Sequence, residues 1–165
     1  MNDKLDHIKI QVDRLAKVIN APDNLMPTYS NSKDAHPNIE ISETGLLSYE
    51  IYERGQQLKM EYALDIDHLL YIIFRDVTSI MAFDYSSKHP NPNVDSRRTQ
   101  FDYQLELLGK LNKDWQQKEK QSQDAIAMQY PFDDYEGKRQ TYLRELLSNG
   151  FLYNEALEKV DAKFP

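Results

Sequence analysis

Between Asn38 and Tyr62 the apolar residues fall on every second position, whereas on both sides of that stretch they recur every three or four. A period of two marks a strand with one buried face, and a period near 3.6 marks a helix with one buried stripe. The chain is thereby confined to a small sheet set inside a mainly helical fold. Ile39 and Ile41 alternate with Asn38, Glu40 and Ser42 before Glu43-Thr44-Gly45 turns the chain. Leu47 to Arg54 alternates again, Gly55 offers a second turn, and Leu58, Met60 and Tyr62 alternate with Lys59 and Glu61. Turns this short join neighbouring antiparallel strands, so the segment reads as a three-stranded meander. The alternation predicts one face bearing Ile39, Ile41, Tyr49, Ile51, Leu58 and Met60, turned towards helices. It predicts Glu40, Glu50, Tyr52 and Glu61 on or near the other face.

Ahead of the sheet, Leu5, Ile8, Val12, Leu15 and Ile19 describe one amphipathic helix up to Asn20, ended by Ala21-Pro22. Asp23 to Pro37 has no apolar period and reads as a loop, expected to be the most mobile long segment. After the sheet, Asp65 is a fitting N-cap for a central buried helix carrying Ile66, Leu69, Leu70, Ile73, Val77, Ile80 and Met81. His89-Pro90-Asn91-Pro92-Asn93 stops it, and Asp95 or Ser96 caps a helix with Phe101, Leu105, Leu108 and Leu111. Asn112 caps a polar helix over 113–129 that docks lightly through Trp115, Ala125, Ile126 and Met128. Tyr130-Pro131-Phe132 breaks that helix, and Asp133 or Asp134 starts another, closed by Asn149-Gly150 before a short terminal helix. The fold class expected is α+β: an N-terminal helix, a three-stranded antiparallel meander, then a helical C-terminal half packed on the sheet, as a single domain over 1–165.

Cysteine is absent, which removes disulfides and thiolate metal sites and leaves the cytoplasm as the expected location. The first residues do not read as a signal peptide. The longest apolar run, Leu69 to Phe74, falls far short of the about 20 residues a membrane span needs, so no membrane association is expected. Net charge is −7, from 27 acidic against 20 basic residues, which disfavours nucleic acid and favours a basic protein surface as partner. The excess is concentrated in 38–64, where five acids stand against two bases.

Catalytic and metal chemistry find little footing in this pattern. His7, His36, His68 and His89 are scattered without ligand spacing, and Asp65-Ile66-Asp67-His68 is more simply a helix cap with acids in the first turn. Asp84, Tyr85 and His89 could perform acid–base work, but no activated nucleophile accompanies them, and a polar network closing a helix end is the plainer reading. Arg97-Arg98 reads as an exposed or salt-bridging pair rather than a phosphate site. None of the five glycines forms a phosphate-cradling loop. No catalytic residue, metal or cofactor is therefore assigned. Tyrosines beside carboxylates in the meander have an interface composition, so Glu40, Glu50, Tyr52 and Glu61 are the expected partner-binding residues.

Several motifs in this order carry a resemblance. They are His36-Pro37-Asn38-Ile39-Glu40-Ile41, Tyr52-Glu53-Arg54-Gly55-Gln56, Asp67-His68-Leu69-Leu70-Tyr71 with Phe74, Val77 and Thr78, and Ala82 with Asp84-Tyr85 and Lys88-His89. Gln104-Leu105-Glu106-Leu107-Leu108-Gly109 with Leu111 and Trp115 follows, then Tyr130-Pro131-Phe132-Asp133-Asp134. Taken together over about 36–134, they make the chain resemble the immunity protein 63 family of bacterial polymorphic toxin systems. After Lys88-His89 the chain departs from that pattern, with Pro90-Asn91-Pro92-Asn93 in place of a more basic continuation. The resemblance implies an antitoxin encoded beside a toxin, which binds that cognate toxin domain and carries out no reaction. Two other functions fit the residues: a small hydrolase built on Asp84, Tyr85 and His89, and a chaperone or adaptor that escorts an effector without inhibiting it.

Overall fold

Ile8, Val12 and Ala16 form the buried stripe of helix α1 (Asn2–Val18), and Ile19 extends it one step past the helix end. The computed structural model describes residues 2–29 and 36–164. Asn20, at φ 52°, closes α1 in the left-handed region, and Ala21 N donates to Ala16 O at 2.9 Å, the hydrogen bond that ties off a helix end of this type. The following stretch is less irregular than its composition suggests. It holds a 3-10 turn at Asp23–Leu25, and Thr28 pairs in parallel with Asn38, Thr28 N donating to Pro37 O at 2.7 Å. Of the stretch 23–37 expected to be a mobile loop, 30–35 lies outside the described residues.

The order of elements is the one read from the pattern: β1 (Pro37–Ile41), β2 (Leu47–Glu53) and β3 (Gln56–Ala63), then α2 (Ile66–Lys88), α3 (Ser96–Leu111), α4 (Lys113–Gln129), α5 (Glu136–Ser148) and α6 (Tyr153–Lys163). The strands lie in sequence order and pair antiparallel. Arg54 and Gly55 occupy the β2–β3 turn with φ 51° and 76°, the doubly left-handed conformation that matches strand twist in a two-residue hairpin.

The chain folds into two compact units. The first comprises the chain up to Met81 together with Gln104–Lys120, and the second Ala82–Tyr103 together with Gln121 onward. Each division falls inside a helix, α2, α3 or α4, so no proline- or glycine-rich linker marks it.

In the first unit α2 is the centre. Six consecutive residues, Leu69 to Phe74, are all buried, which requires cover on every side of the helix. Trp115 of α4 stacks on Phe74 with centroids 6.3 Å apart, and its indole Nε1 donates to Asp67 at 3.2 Å, so α4 docks more firmly here than its polar composition suggests. Gln104 of α3, itself buried, donates to the carbonyl of Arg75 at 3.1 Å. Thr78, fully buried, returns its hydroxyl to Phe74 O at 2.6 Å. The caps follow the sequence: Asp65 Oδ1 accepts from His68 N at 2.8 Å, and Asn112 Oδ1 from Asp114 N at 2.8 Å.

The second unit is organised by Asp95, which is 4% exposed. Its carboxylate caps α3 by accepting from Arg97 N at 2.9 Å and also accepts from Asp133 N at 2.8 Å, while Asp95 N donates to Asp134 at 2.9 Å. Leu146 of α5 packs with Ala156 and Val160 of α6, flanked by Tyr142, Leu143 and Phe164. Gly150, at φ 87°, ends α5, and Phe151 N donates back to Leu146 O at 3.2 Å. Among the described residues no helix is long and apolar enough to cross a membrane.

Candidate functional site

Strand register decides which side chains share a face, because residues directly opposite in an antiparallel pair project the same way. Tyr49 stands opposite Ile39 on one side and Glu61 on the other, and Ile51 opposite Lys59. Glu61 and Lys59 therefore lie on the inner face, with Ile39, Leu47 and Tyr49. Glu50 stands opposite Asn38 and Met60, and Ser48 opposite Glu40 and Tyr62. The outer face is thus Asn38, Glu40, Ser48, Glu50, Tyr52, Met60 and Tyr62.

This corrects the phase expected for β3. Met60 is on the outer face, and Leu58, at the bulge between the pairings of Ile51 and Tyr52, is exposed rather than turned to the helices. Glu61 is separated from Glu40, Glu50 and Tyr52 by the sheet itself. The physical reason lies in α2, whose Arg75 and Asp76 face the sheet and require charged partners. Arg75 donates to both Glu61 oxygens, at 2.5 and 3.2 Å, and Lys59 bridges Asp76 at 2.5 Å and Glu61 at 2.9 Å. Against a burial that pushes it upward, hydrogen bonds from Arg75 and Lys59 hold the Glu61 carboxyl down at about 2. Burial first, and Asp76 beside it second, push the Tyr49 phenol well above its ordinary range.

The outer face has a different character. Glu40 is exposed, whereas Glu50 is 4% exposed and its carboxylate accepts from Ser48 Oγ at 2.8 Å. Tyr52 donates its phenol to Glu50 as well. Desolvation, then the carboxylates of Glu50 and Glu40, raise the Tyr52 phenol above its usual value. Beside them Met60 and Tyr62 are 40% and 55% exposed. Sequence reasoning placed Met60 on the inner face and assigned Tyr62 to neither; the available signal was the Lys59/Glu61 alternation, complementary to Arg75-Asp76 in an otherwise apolar helix.

The other residues singled out are held in structural contacts. Asp84 pairs with Lys88 at 2.6 Å on the exposed side of α2, while His89 stacks on Tyr85 at 4.1 Å and its Nδ1 lies 2.9 Å from Tyr85 O, so the trio is not brought to a common point. Tyr85 also stacks on Tyr103 at 4.0 Å. Asp65 caps α2, Asp67 receives Trp115, and His68 Nδ1 accepts from Leu64 N at 3.2 Å. Among the described residues no cluster of three His, Asp or Glu side chains is arranged to hold a metal. Arg97 and Arg98 are salt-bridged, as expected, to Asp95 at 2.6 Å and Asp134 at 2.9 Å, and both guanidinium groups lie over Phe132. The Pro131-Phe132-Asp133-Asp134 motif is therefore a clasp on the start of α3.

Fold and site together define an α+β protein with a helix-backed three-stranded sheet whose outer face is acidic, buried at Asn38, Ser48 and Glu50 and exposed at Glu40, Met60 and Tyr62. Residues 44–125 match the family model described as immunity protein 63, and over that stretch the chain belongs to this family. The match starts in the β1–β2 turn and ends within α4, so the His36–Ile41 and Tyr130–Asp134 motifs lie outside it. No curated protein and no solved structure matches the chain.

Proposed function

We propose that this chain neutralises a toxin by binding it stoichiometrically in the cytoplasm of the cell that makes both, with no reaction of its own. The family match over 44–125 carries this reading. The charge balance of −7 supports a partner domain with a basic surface, since opposite potentials speed encounter and set register. The hydrolase alternative has less support, because Asp84 and His89 are engaged separately with Lys88 and Tyr85.

Mixing the purified chain with the toxin domain encoded beside its gene tests the reading. The expected result is a 1:1 complex on gel filtration at micromolar concentration, with toxin activity falling linearly to zero at equivalence. Separate elution would refute it. Loss of activity at substoichiometric amounts would indicate catalysis, and a complex that leaves the toxin active would indicate an escort.

A further inference from the structure

The outer sheet face combines two properties that a free surface rarely combines. Met60, Tyr62 and Leu58, the last 60% exposed, leave apolar area in solvent along β3, which is an edge strand of the sheet. Proteins commonly protect such edges with charge, because apolar edge strands recruit other chains. The opposite edge is partly covered, since Thr28 pairs with β1. Next to this apolar strip stand Glu40 and Glu50. Hydroxyls from Ser48 and Tyr52 satisfy Glu50 as an acceptor without neutralising it, and among the described residues neither carboxylate makes an ion pair. The cation within the strands, Lys59, lies on the inner face and is engaged by Glu61 and Asp76.

From this we infer that the accessible part of the outer face, Glu40, Tyr52, Met60 and Tyr62, with the buried Glu50 carboxylate beneath it, docks the toxin through a basic patch of that protein. This rests on the function proposed above. Lysine or arginine heads reach the exposed Glu40 carboxylate, with Glu50 buried beneath adding to the local negative potential, and their aliphatic stems, or apolar neighbours, cover Met60 and Tyr62. Arginine suits the site best, because its planar group pairs with carboxylates and stacks on tyrosine. A nucleic acid or an anionic lipid would meet the exposed Glu40 carboxylate and the potential of Glu50 beneath it. A second copy of this chain would set Glu40 and Glu50 against their own kind.

The test measures association of the toxin domain encoded beside the gene with the full chain and three variants: Glu40→Lys, Met60→Glu and the control Glu158→Lys, which makes the same charge change on α6. All three sites are exposed. At low salt Glu40→Lys is expected to slow association by about tenfold, by a factor that shrinks as salt rises. Met60→Glu is expected to speed dissociation, and Glu158→Lys to shift neither rate more than about threefold. Oxidative footprinting of the unmutated complex gives a measure independent of folding, with Met60 and Tyr62 protected by the toxin. Wild-type binding with unchanged rates in both outer-face variants and no protection would overturn the docking face and leave the antitoxin reading intact. Failure of the wild type to bind would overturn both. A self-dimer dissolved by Met60→Glu would replace the toxin with a second copy and overturn the proposal.

Discussion

Arg54 is the residue whose backbone fits least well with its side chain. A φ of 51° suits glycine or asparagine, and a residue with a larger side chain gives up about 1 kcal/mol or more there. Arg54→Asn is therefore expected to raise stability by about 0.5 kcal/mol in urea unfolding with the slope unchanged, and a loss of stability would show that the arginine side chain contributes a contact. Gly55→Ala should cost about 1 kcal/mol even though an added methyl group meets nothing within 4 Å, because the penalty is one of φ alone. At Glu61 the cost depends on pH. Its carboxyl falls from an ordinary 4.5 to about 2 in the folded protein, so its contribution is fully present above about 4.5 and is lost as pH falls through 2. Glu61→Gln is expected to lower stability at neutral pH and to flatten the acid limb of the stability curve between pH 4.5 and 2. An unchanged acid limb would mean that Arg75 and Lys59 do not hold the carboxylate in solution.

Elements were legible wherever their signals are local. The caps at Asp65, Asp95 and Asn112 close on amides two or three residues away, and the hairpin at Arg54-Gly55 is a property of two residues, so pattern reading found all of them. The phase of β3 was not legible, because it depends on Arg75 and Asp76, 14 or more residues on, which claim Glu61 and Lys59 and turn Met60 and Tyr62 outward. The same applies to the pairing of Thr28 with Asn38, and to Asp133 N on Asp95, a contact 38 residues long. Half of the candidate face, Glu40, Glu50 and Tyr52, could be read from alternation; its apolar half could not, because exposure of Met60 contradicts the hydrophobic rule that made the sheet readable. Arg75→Met examines this element directly. It removes the cation that fixes Glu61 and Lys59 in place and leaves Glu61 partly buried with one partner fewer, which should cost about 2 kcal/mol in denaturant unfolding. A stabilised variant would show that the ion network sets strand phase without contributing to stability.

At the scale of the whole molecule, the family match and the two compact units divide the chain differently. The matched stretch 44–125 takes β2, β3 and α2 through most of α4, whereas the second unit also contains α5 and α6, beyond the match. The proposed docking face lies wholly in the first unit, so damage confined to the second should spare binding. Asp95→Ala creates such damage. It removes the acceptor for Arg97 N, the Arg97 guanidinium and Asp133 N, at a site almost without solvent, and is expected to cost about 2 to 3 kcal/mol. Hydrogen exchange should then rise at the start of α3 and in α5 and α6 while the strand amides of β2 stay protected, because local opening reports the contacts of its own region. Toxin association measured on the same variant should match the wild type. If the β2 amides lose protection in step with α5, the two units unfold as one, and the stability of the acidic face depends on the Asp95 clasp of the second unit.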